Sequence, residues 1–291
     1  NFKQYLSQER GLSAAILHTY LPVVDHFLRE RFGRGSTRFS ELRATDLTGF
    51  IQRHVHDHSP RTAQHMVAAL RAFLRYLRLR GDITTDLAAC VPTVANWSYS
   101  TLPKFLHPGQ VQQVLARCDR RTSVGRRNYA ILLLLARLGL RAGEVVAMTL
   151  DDINWKEGRL TVRGKGGQRA DMPLPAKVGK AIAAYLRRGR PRCASRRLFI
   201  REHAPRIGFA NSSTISTLVK RALAHAGVRS AHTGAHVFRH TLATEMLRHG
   251  ASLGEVGQLL RHQHPDTTQI YAKVDLSALR QLALPWPGDG R

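Results

Sequence analysis

The chain has 291 residues and a formal net charge of +25, with 45 Lys and Arg against 20 Asp and Glu, and 43% of its residues are hydrophobic. That apolar content can bury a core, which excludes a disordered tail, and the length allows about two domains. So large a cationic excess keeps a compact chain under self-repulsion unless a polyanion relieves it, so nucleic acid is the first candidate partner and an anionic membrane surface the second.

Several further classes are excluded. The longest apolar run, Tyr129 to Ala136, is eight residues, far short of the ~20 needed to span a bilayer. The N-terminus, from Asn1 to Tyr5, lacks the basic-then-apolar pattern of a signal peptide. It does not begin with Met, and the numbering is read as starting inside a gene product. Cys90, Cys118 and Cys193 are scattered without CxxC spacing, which argues against a disulfide framework and a zinc site. The expectation is a cytoplasmic protein that engages no membrane.

Along the chain, the first ninety residues read as a bundle of about four helices. Ser13 precedes a helical stripe of Ile16, Leu17, Tyr20, Leu21, Val24, Phe27 and Leu28 that stops at Gly33. Pro22 inside it predicts a kink or a division in two. Ser40 starts a shorter helix through Leu47 and Ile51, and Ser59 with Pro60 opens another, with Met66, Leu70, Phe73, Leu74 and Leu77 on one face and Gly81 as the stop. The expected domain boundaries are 1–91 for this helical part, 92–107 for a linker punctuated by Pro92 and Pro103, 108–284 for a second domain and 285–291 for a tail. Charge divides unevenly: residues 1–100 carry 13 Lys and Arg against 8 Asp and Glu, a net of +5, and residues 101–291 carry 32 against 12, a net of +20.

In the second part, helices are predicted at 108–119 and 124–138. The period then changes: 159–163 and 169–174 alternate around Gly164, Lys165, Gly166 and Gly167, the pattern of a β-hairpin with a Gly-rich tip. Helical patterns return at 176–188, 213–226, 235–249, 252–260 and 266–282. The fold class is therefore mainly α with a small antiparallel hairpin or sheet.

Three local patterns carry candidate chemistry. Gly139-Leu-Arg141-Ala-Gly-Glu144 ends an apolar helix, His236-Val-Phe-Arg239-His240 starts another, and His262-Gln-His264-Pro265 precedes Tyr271, which the pattern places in the second turn of the last helix. Residues three apart share a helix face, so His236 and Arg239 can address one ligand. Two Arg forks can hold the non-bridging oxygens of one phosphate. A Lys on a hairpin can act as general acid, His can move a proton near neutral pH, and Tyr can be a nucleophile where cations stabilise the phenolate. Composition alone does not make these residues converge.

Taken together, these motifs resemble the signature of the tyrosine recombinases, the phage-integrase family. Arg141, Lys165, His236-x-x-Arg239-His240-Thr241, His262 and Tyr271 follow that family's order over roughly residues 105–283, and the helical N-terminal part resembles its core-binding domain. The resemblance implies a site-specific recombinase acting on double-stranded DNA at a specific site. Tyr271 would attack the scissile phosphate and leave a 3′-phosphotyrosyl link and a free 5′-hydroxyl. Arg141 and Arg239 would clamp the phosphate, Lys165 would protonate the departing oxygen, His236 would assist proton transfer, His262 would hydrogen-bond the phosphate and Glu144 would position the site. No ATP, cofactor or divalent metal is implied, and a homotetramer would exchange strands through a Holliday junction. With no separate arm-binding domain ahead of the bundle in this numbering, a two-domain recombinase is expected. One departure is Arg261, where the family usually has Gly before its last His.

Other readings stand beside these. Outside its motif Arg141 is a helix-end arginine, Lys165 a solvated hairpin residue among Arg163 and Arg169, and Tyr271 a half-buried core aromatic. His236 with His240, and His54 with His56 and His58, have spacings that suit metal ligands, but the first pair lacks a third ligand in the required pattern and the second group reads as solvated or DNA-facing. The competing functions are a type IB topoisomerase, which nicks and reseals one strand, and a non-catalytic DNA-binding architectural protein.

Overall fold

A computed structural model describes residues 1–33, 35–95, 104–164, 168–264 and 266–274. The chain divides into two compact units, Asn1–Ser100 and Thr101–Arg291. Both are built mainly of helices, and the second also holds a small antiparallel sheet, in keeping with the expected fold class.

In the first unit α1 (Phe2–Gln4) passes into a π-helical turn, Tyr5–Glu9, followed by α2 (Ala14–Phe32), α3 (Ala44–Val55), α4 (Pro60–Leu79) and α5 (Leu87–Cys90). The spine is α4. Ser59 Oγ accepts the Thr62 N–H at 3.2 Å and Pro60 takes the first helical position, where its missing N–H costs nothing. Its apolar stripe, from Met66 to Leu77, packs on α2, α3 and α5 around Phe27, Leu47 and Phe50.

Two expectations are corrected here. Helix α2 runs undivided through Pro22. Pro22 and His18 are both exposed, so the His18 carbonyl that loses its N–H partner faces water. The shorter helix starts at Ala44, not Ser40. The Asp46 carboxylate accepts the Arg43 N–H at 2.9 Å and fixes the start there, while Ser40 sits in a 3₁₀ turn, Phe39–Glu41. The His54, His56 and His58 run does not assemble into a metal-ligand group among the described residues. His54 instead joins Glu30 (Nε2 to Oε2, 2.7 Å) and His26, and the Arg53 guanidinium takes the other Glu30 oxygen. The Arg53 charge opposes a bound dication, and the cluster reads as an ion-pair staple between α2 and α3.

The second unit continues with α6 (Pro108–Ala116), α7 (Ser123–Leu138), α8 (Ala142–Ala147), β1 (Ile153–Asn154), β2 (Arg159–Arg163), β3 (Arg169–Pro173), α9 (Ala176–Arg188), α10 (Ser213–His225), α11 (His236–Arg248), α12 (Leu253–Leu260) and α13 (Asp266–Gln269). The apolar run of the sequence is the centre of α7. Every residue from Ala130 to Ala136 is buried, with α9 and α11 packed against this helix, as expected for a helix apolar all round. Strands β2 and β3 form the expected hairpin, antiparallel, with Leu160 opposite Met172 and Arg163 opposite Arg169. Its tip, 165–167 with Lys165, lies outside the described residues. Strand β1 adds a third member beside β2. Two residues are too few to show alternation, which is why the sequence gives no sign of it.

The helix expected over 266–282 stops at Gln269. Tyr271 and Val274 donate to the carbonyls three residues back, of Thr268 and Tyr271 (both 3.0 Å), so the chain tightens into a 3₁₀ turn at Ala272–Val274. Both side chains become buried together with Leu247, Val256 and Leu260. Residues beyond 274, with the rest of the expected helix and the tail, lie outside the described residues. Among the described residues no helix is long and apolar enough to cross a membrane.

Gly139 joins fold to site. Its φ of +58 ends α7, and a Cβ placed there would lie 2.7 Å from Leu260 Cδ2. Gly158 has a similar φ, +62, but open space around it. Gly139→Ala should cost roughly 1–2 kcal/mol for the left-handed backbone plus the clash, whereas Gly158→Ala pays the backbone cost alone. Urea unfolding of the two variants measures the difference, and equal losses would remove Leu260 from the explanation.

Candidate active site

The turn at Gly139 makes Arg141 the residue that precedes α8. Glu144, three residues on, reaches back. One of its oxygens accepts the Arg141 N–H at 2.8 Å and the other accepts the Arg141 guanidinium, also at 2.8 Å. Glu144 is 4% exposed. The Arg261 guanidinium donates to the same carboxylate at 2.9 Å. Burial pushes the Glu144 carboxyl up, but the Arg141 N–H, the Arg261 charge and the Arg141 guanidinium together hold it below the ordinary carboxylate range.

Arg239, in the first turn of α11, is 3% exposed. Its guanidinium donates to the Gly139 carbonyl at 2.6 Å and to the Leu260 carbonyl, tying the end of α7 to the end of α12. Burial, then the charges of Arg141 and Arg261, lower its pKa to about 10, so it stays charged at neutral pH.

Tyr271 is 1% exposed, and its hydroxyl lies 2.9 Å from His240 Nδ1. Burial raises the phenol to about 12 against the opposing pull of Arg239 and Arg141. Burial, then His236, His232 and Arg239, lower His240 to about 4, which leaves the imidazole neutral at pH 7. His262 stacks parallel to the Tyr271 ring and its Nδ1 lies 2.6 Å from Thr268 Oγ1. Burial, then Arg239, Arg141 and Arg261, lower it too to about 4. With Thr268 donating to Nδ1, the His262 Nε2–H is free to donate to an anion.

The structure thus brings Arg141, Arg239, His262 and Tyr271 together from α8, α11 and the 261–274 segment. His236 is exposed at the start of α11, its ring 6.2 Å from that of His240. Sequence reasoning left three participants without a role at Tyr271 or Glu144. His240 is the residue that touches the Tyr271 hydroxyl, and its position four after His236, on the same helix face, was the available signal. Arg261 was marked only as a departure from the family's usual Gly, and Thr268 carried no signal. A cavity of about 220 Å³ between the hairpin and the 261–267 segment is lined by Arg141, Glu144, Arg169, Arg261 and His262. A larger cleft, about 1080 Å³, lies at the far end of α7 among Arg120, Arg126, Lys180 and Arg187. It lacks the Arg141–Glu144–Arg261 cluster that lines the smaller cavity, and Arg239, His240 and Tyr271 lie outside the lining of both.

The neutral histidines make stability depend on pH. In an unfolded chain His titrates near about 6.5, and in the fold His240 and His262 titrate at about 4. Between those values the unfolded chain binds more protons, so stability falls as pH drops through that window. Melting temperatures of His240→Asn should decline less steeply than those of the wild type over the same range. Parallel slopes would show that His240 does not titrate in the fold as described.

Known proteins are similar to this chain in sequence and in fold. The profile described as the phage integrase family matches residues 104–277, and that of the phage integrase N-terminal SAM-like domain matches residues 1–81. The Sinorhizobium fredii protein y4rA, which carries the name integrase/recombinase, is 53% identical over 290 residues, covering 100% of this chain and 71% of y4rA. In fold, the chain is similar to the XerH site-specific recombinase bound to palindromic difH substrate in a post-cleavage complex (TM-score 0.77, 20% identity, 98% of this chain and 84% of that one). It is also similar to λ integrase, solved as a tetramer bound to a Holliday junction (TM-score 0.70, 17% identity, 93% and 74%). With a family profile over most of its length and a relative of this identity, the chain belongs to the phage integrase family of tyrosine recombinases.

Proposed function

We propose that the chain is a site-specific DNA recombinase that cuts and rejoins strands through a 3′-phosphotyrosyl intermediate. The observation that carries this reading is the convergence of one phenol, two neutral imidazoles and two guanidiniums on the ends of α7, α11 and α12. Such a set can bind a phosphodiester, neutralise the charge that develops on it and supply a nucleophile.

In this reading Tyr271 gives up its phenolic proton and attacks phosphorus. The P–O5′ bond breaks, the 5′-oxygen leaves with a proton from Lys165, and the phosphate is held by Arg141 and Arg239, with the His262 N–H on one of its oxygens. His236 assists proton transfer, and neutral His240, already against the hydroxyl, is placed to receive the Tyr271 proton. The phosphotyrosyl bond conserves the energy of the phosphodiester, so the cycle needs no ATP and no metal. A 5′-hydroxyl from a second duplex then reverses the attack. Four protomers on a Holliday junction are the proposed assembly, with residues 1–91 gripping the DNA as a core-binding domain and 108–284 as the catalytic domain. Because Tyr271 is buried where it stands, the 264–274 segment has to swing it into the cavity before it can attack.

A pool of nicked duplexes with randomised flanks, resolved on a denaturing protein gel, tests this. The wild type should yield a covalent protein–DNA adduct whose trapped sequence reports the site, and Tyr271→Phe should yield none. An adduct with Tyr271→Phe, or none with the wild type, overturns the reading. Arg141→Ala should slow adduct formation by about 10²–10³-fold, the usual cost of losing a charge-stabilising donor, with DNA affinity nearly unchanged. Joined strands from two duplexes identify a recombinase, whereas relaxed supercoils alone identify a topoisomerase-like enzyme.

A further inference from the structure

Arg261 is the one residue other than glycine with a positive φ among the described residues (φ 53, ψ 50). This left-handed conformation suits glycine and strains an arginine. The position also buries most of the side chain, 14% exposed, and leaves Nε without a hydrogen-bond partner. A residue that costs the fold in two ways needs a compensating role, and its contacts show one. The guanidinium donates to Glu144 at 2.9 Å and to the Leu259 carbonyl at 3.1 Å, and it rests on the Met172 sulfur of β3. The next residues carry the same bridge outward: Gln263 donates to Gln168, beside the hairpin tip, at 3.0 Å.

We propose that Arg261 is a positioning residue for strand cleavage, which clamps the Glu144 oxygen that also accepts the Arg141 N–H, leaving the other oxygen to the Arg141 guanidinium, and docks the segment carrying His262 onto the β2–β3 hairpin. The inference rests on the recombinase reading above. Glu144 has two oxygens and three donors. With Arg261 on one oxygen, the carboxylate cannot rotate without breaking a buried ion pair, so the plane that aims the Arg141 guanidinium is fixed. A single anion then faces two cations. Glu144 is held below its ordinary range by its cationic partners, whereas burial, only partly opposed by Glu144, lowers Arg261. The surplus positive charge lines the cavity that receives the phosphate. A glycine here would supply the backbone turn and none of this.

That difference makes Arg261→Gly a discriminating variant, because it relaxes the backbone while removing the clamp and its charge, and Arg261→Lys restores the charge alone. On the duplex trapped by the wild type, single-turnover adduct formation at saturating DNA should fall by about tenfold or more, the scale of a misaimed catalytic group. Melting temperature should hold or rise, and DNA affinity should stay within about threefold. Arg261→Lys, which keeps the charge but reaches one acceptor, should recover part of the rate. In a Glu144→Gln background Arg261→Gly should add less than about twofold, since both changes break the same interaction. Wild-type cleavage rates in Arg261→Gly, a full additional loss in the Glu144→Gln background, or a loss of rate that follows a lowered melting temperature would each overturn the proposal. Absence of any adduct with the wild type would instead overturn the strand-cleavage reading beneath it.

Discussion

The site depends on one buried carboxylate. Glu144 satisfies the Arg141 N–H just ahead of α8, one guanidinium on its own turn and a second from the far end of α12. A carboxylate this deep would be several kcal/mol uphill if unpaired, so its surroundings require cations and its neighbours are drawn to it. The requirement orders the elements. Helix α7 has to end at Gly139 for α8 to begin at Arg141, and α12 has to end in a left-handed residue for Arg261 to reach across. Arg239 closes the same junction from α11 through the Gly139 and Leu260 carbonyls. The positive charge of the site is therefore part of the packing of the unit and is not an addition to its surface.

Tyr271, the proposed nucleophile, is held on the other side of that junction. Tyr271 belongs to a small apolar cluster with Ala243, Leu247, Val256 and Leu260, and its hydroxyl is satisfied by His240. Its burial raises the phenol to about 12, which keeps it protonated and unreactive toward a phosphate in the cavity. Both of its histidine neighbours, lowered to about 4, stay uncharged at neutral pH, so the positive charge around it comes from the guanidiniums.

Much of this was legible in the residues. Periodicity located the long helices, because α4, α7, α9 and α11 bury one face or all faces over three or more turns, and the alternation of Leu160, Val162 and Met172 marked the hairpin. Elements of two to six residues, such as β1 and α8, are too short to show a period and are held by what they touch. The 3₁₀ turn that buries Tyr271 was invisible because its i→i−3 bonds answer to a tertiary cluster, not to local propensity. The motifs identified Arg141, Arg239, His262 and Tyr271, but not the pairings. Which His meets the phenol depends on how α11 and the 261–274 segment are packed, and the value of Arg261 depends on a glutamate 117 positions away.

The hairpin register has a consequence of its own. Arg163 and Arg169 sit directly opposite one another at the turn end of the ladder, and among the described residues only Arg163 has an acid partner, Asp152 at 2.8 Å. Like charges facing across a ladder repel. In the sequence these two arginines flank Lys165, so the hairpin carries an internal tension that any nearby anion lowers. An anion beside them both gains an attraction and releases a repulsion, and the hairpin is in that sense loaded: its free energy is lowest next to a polyanion.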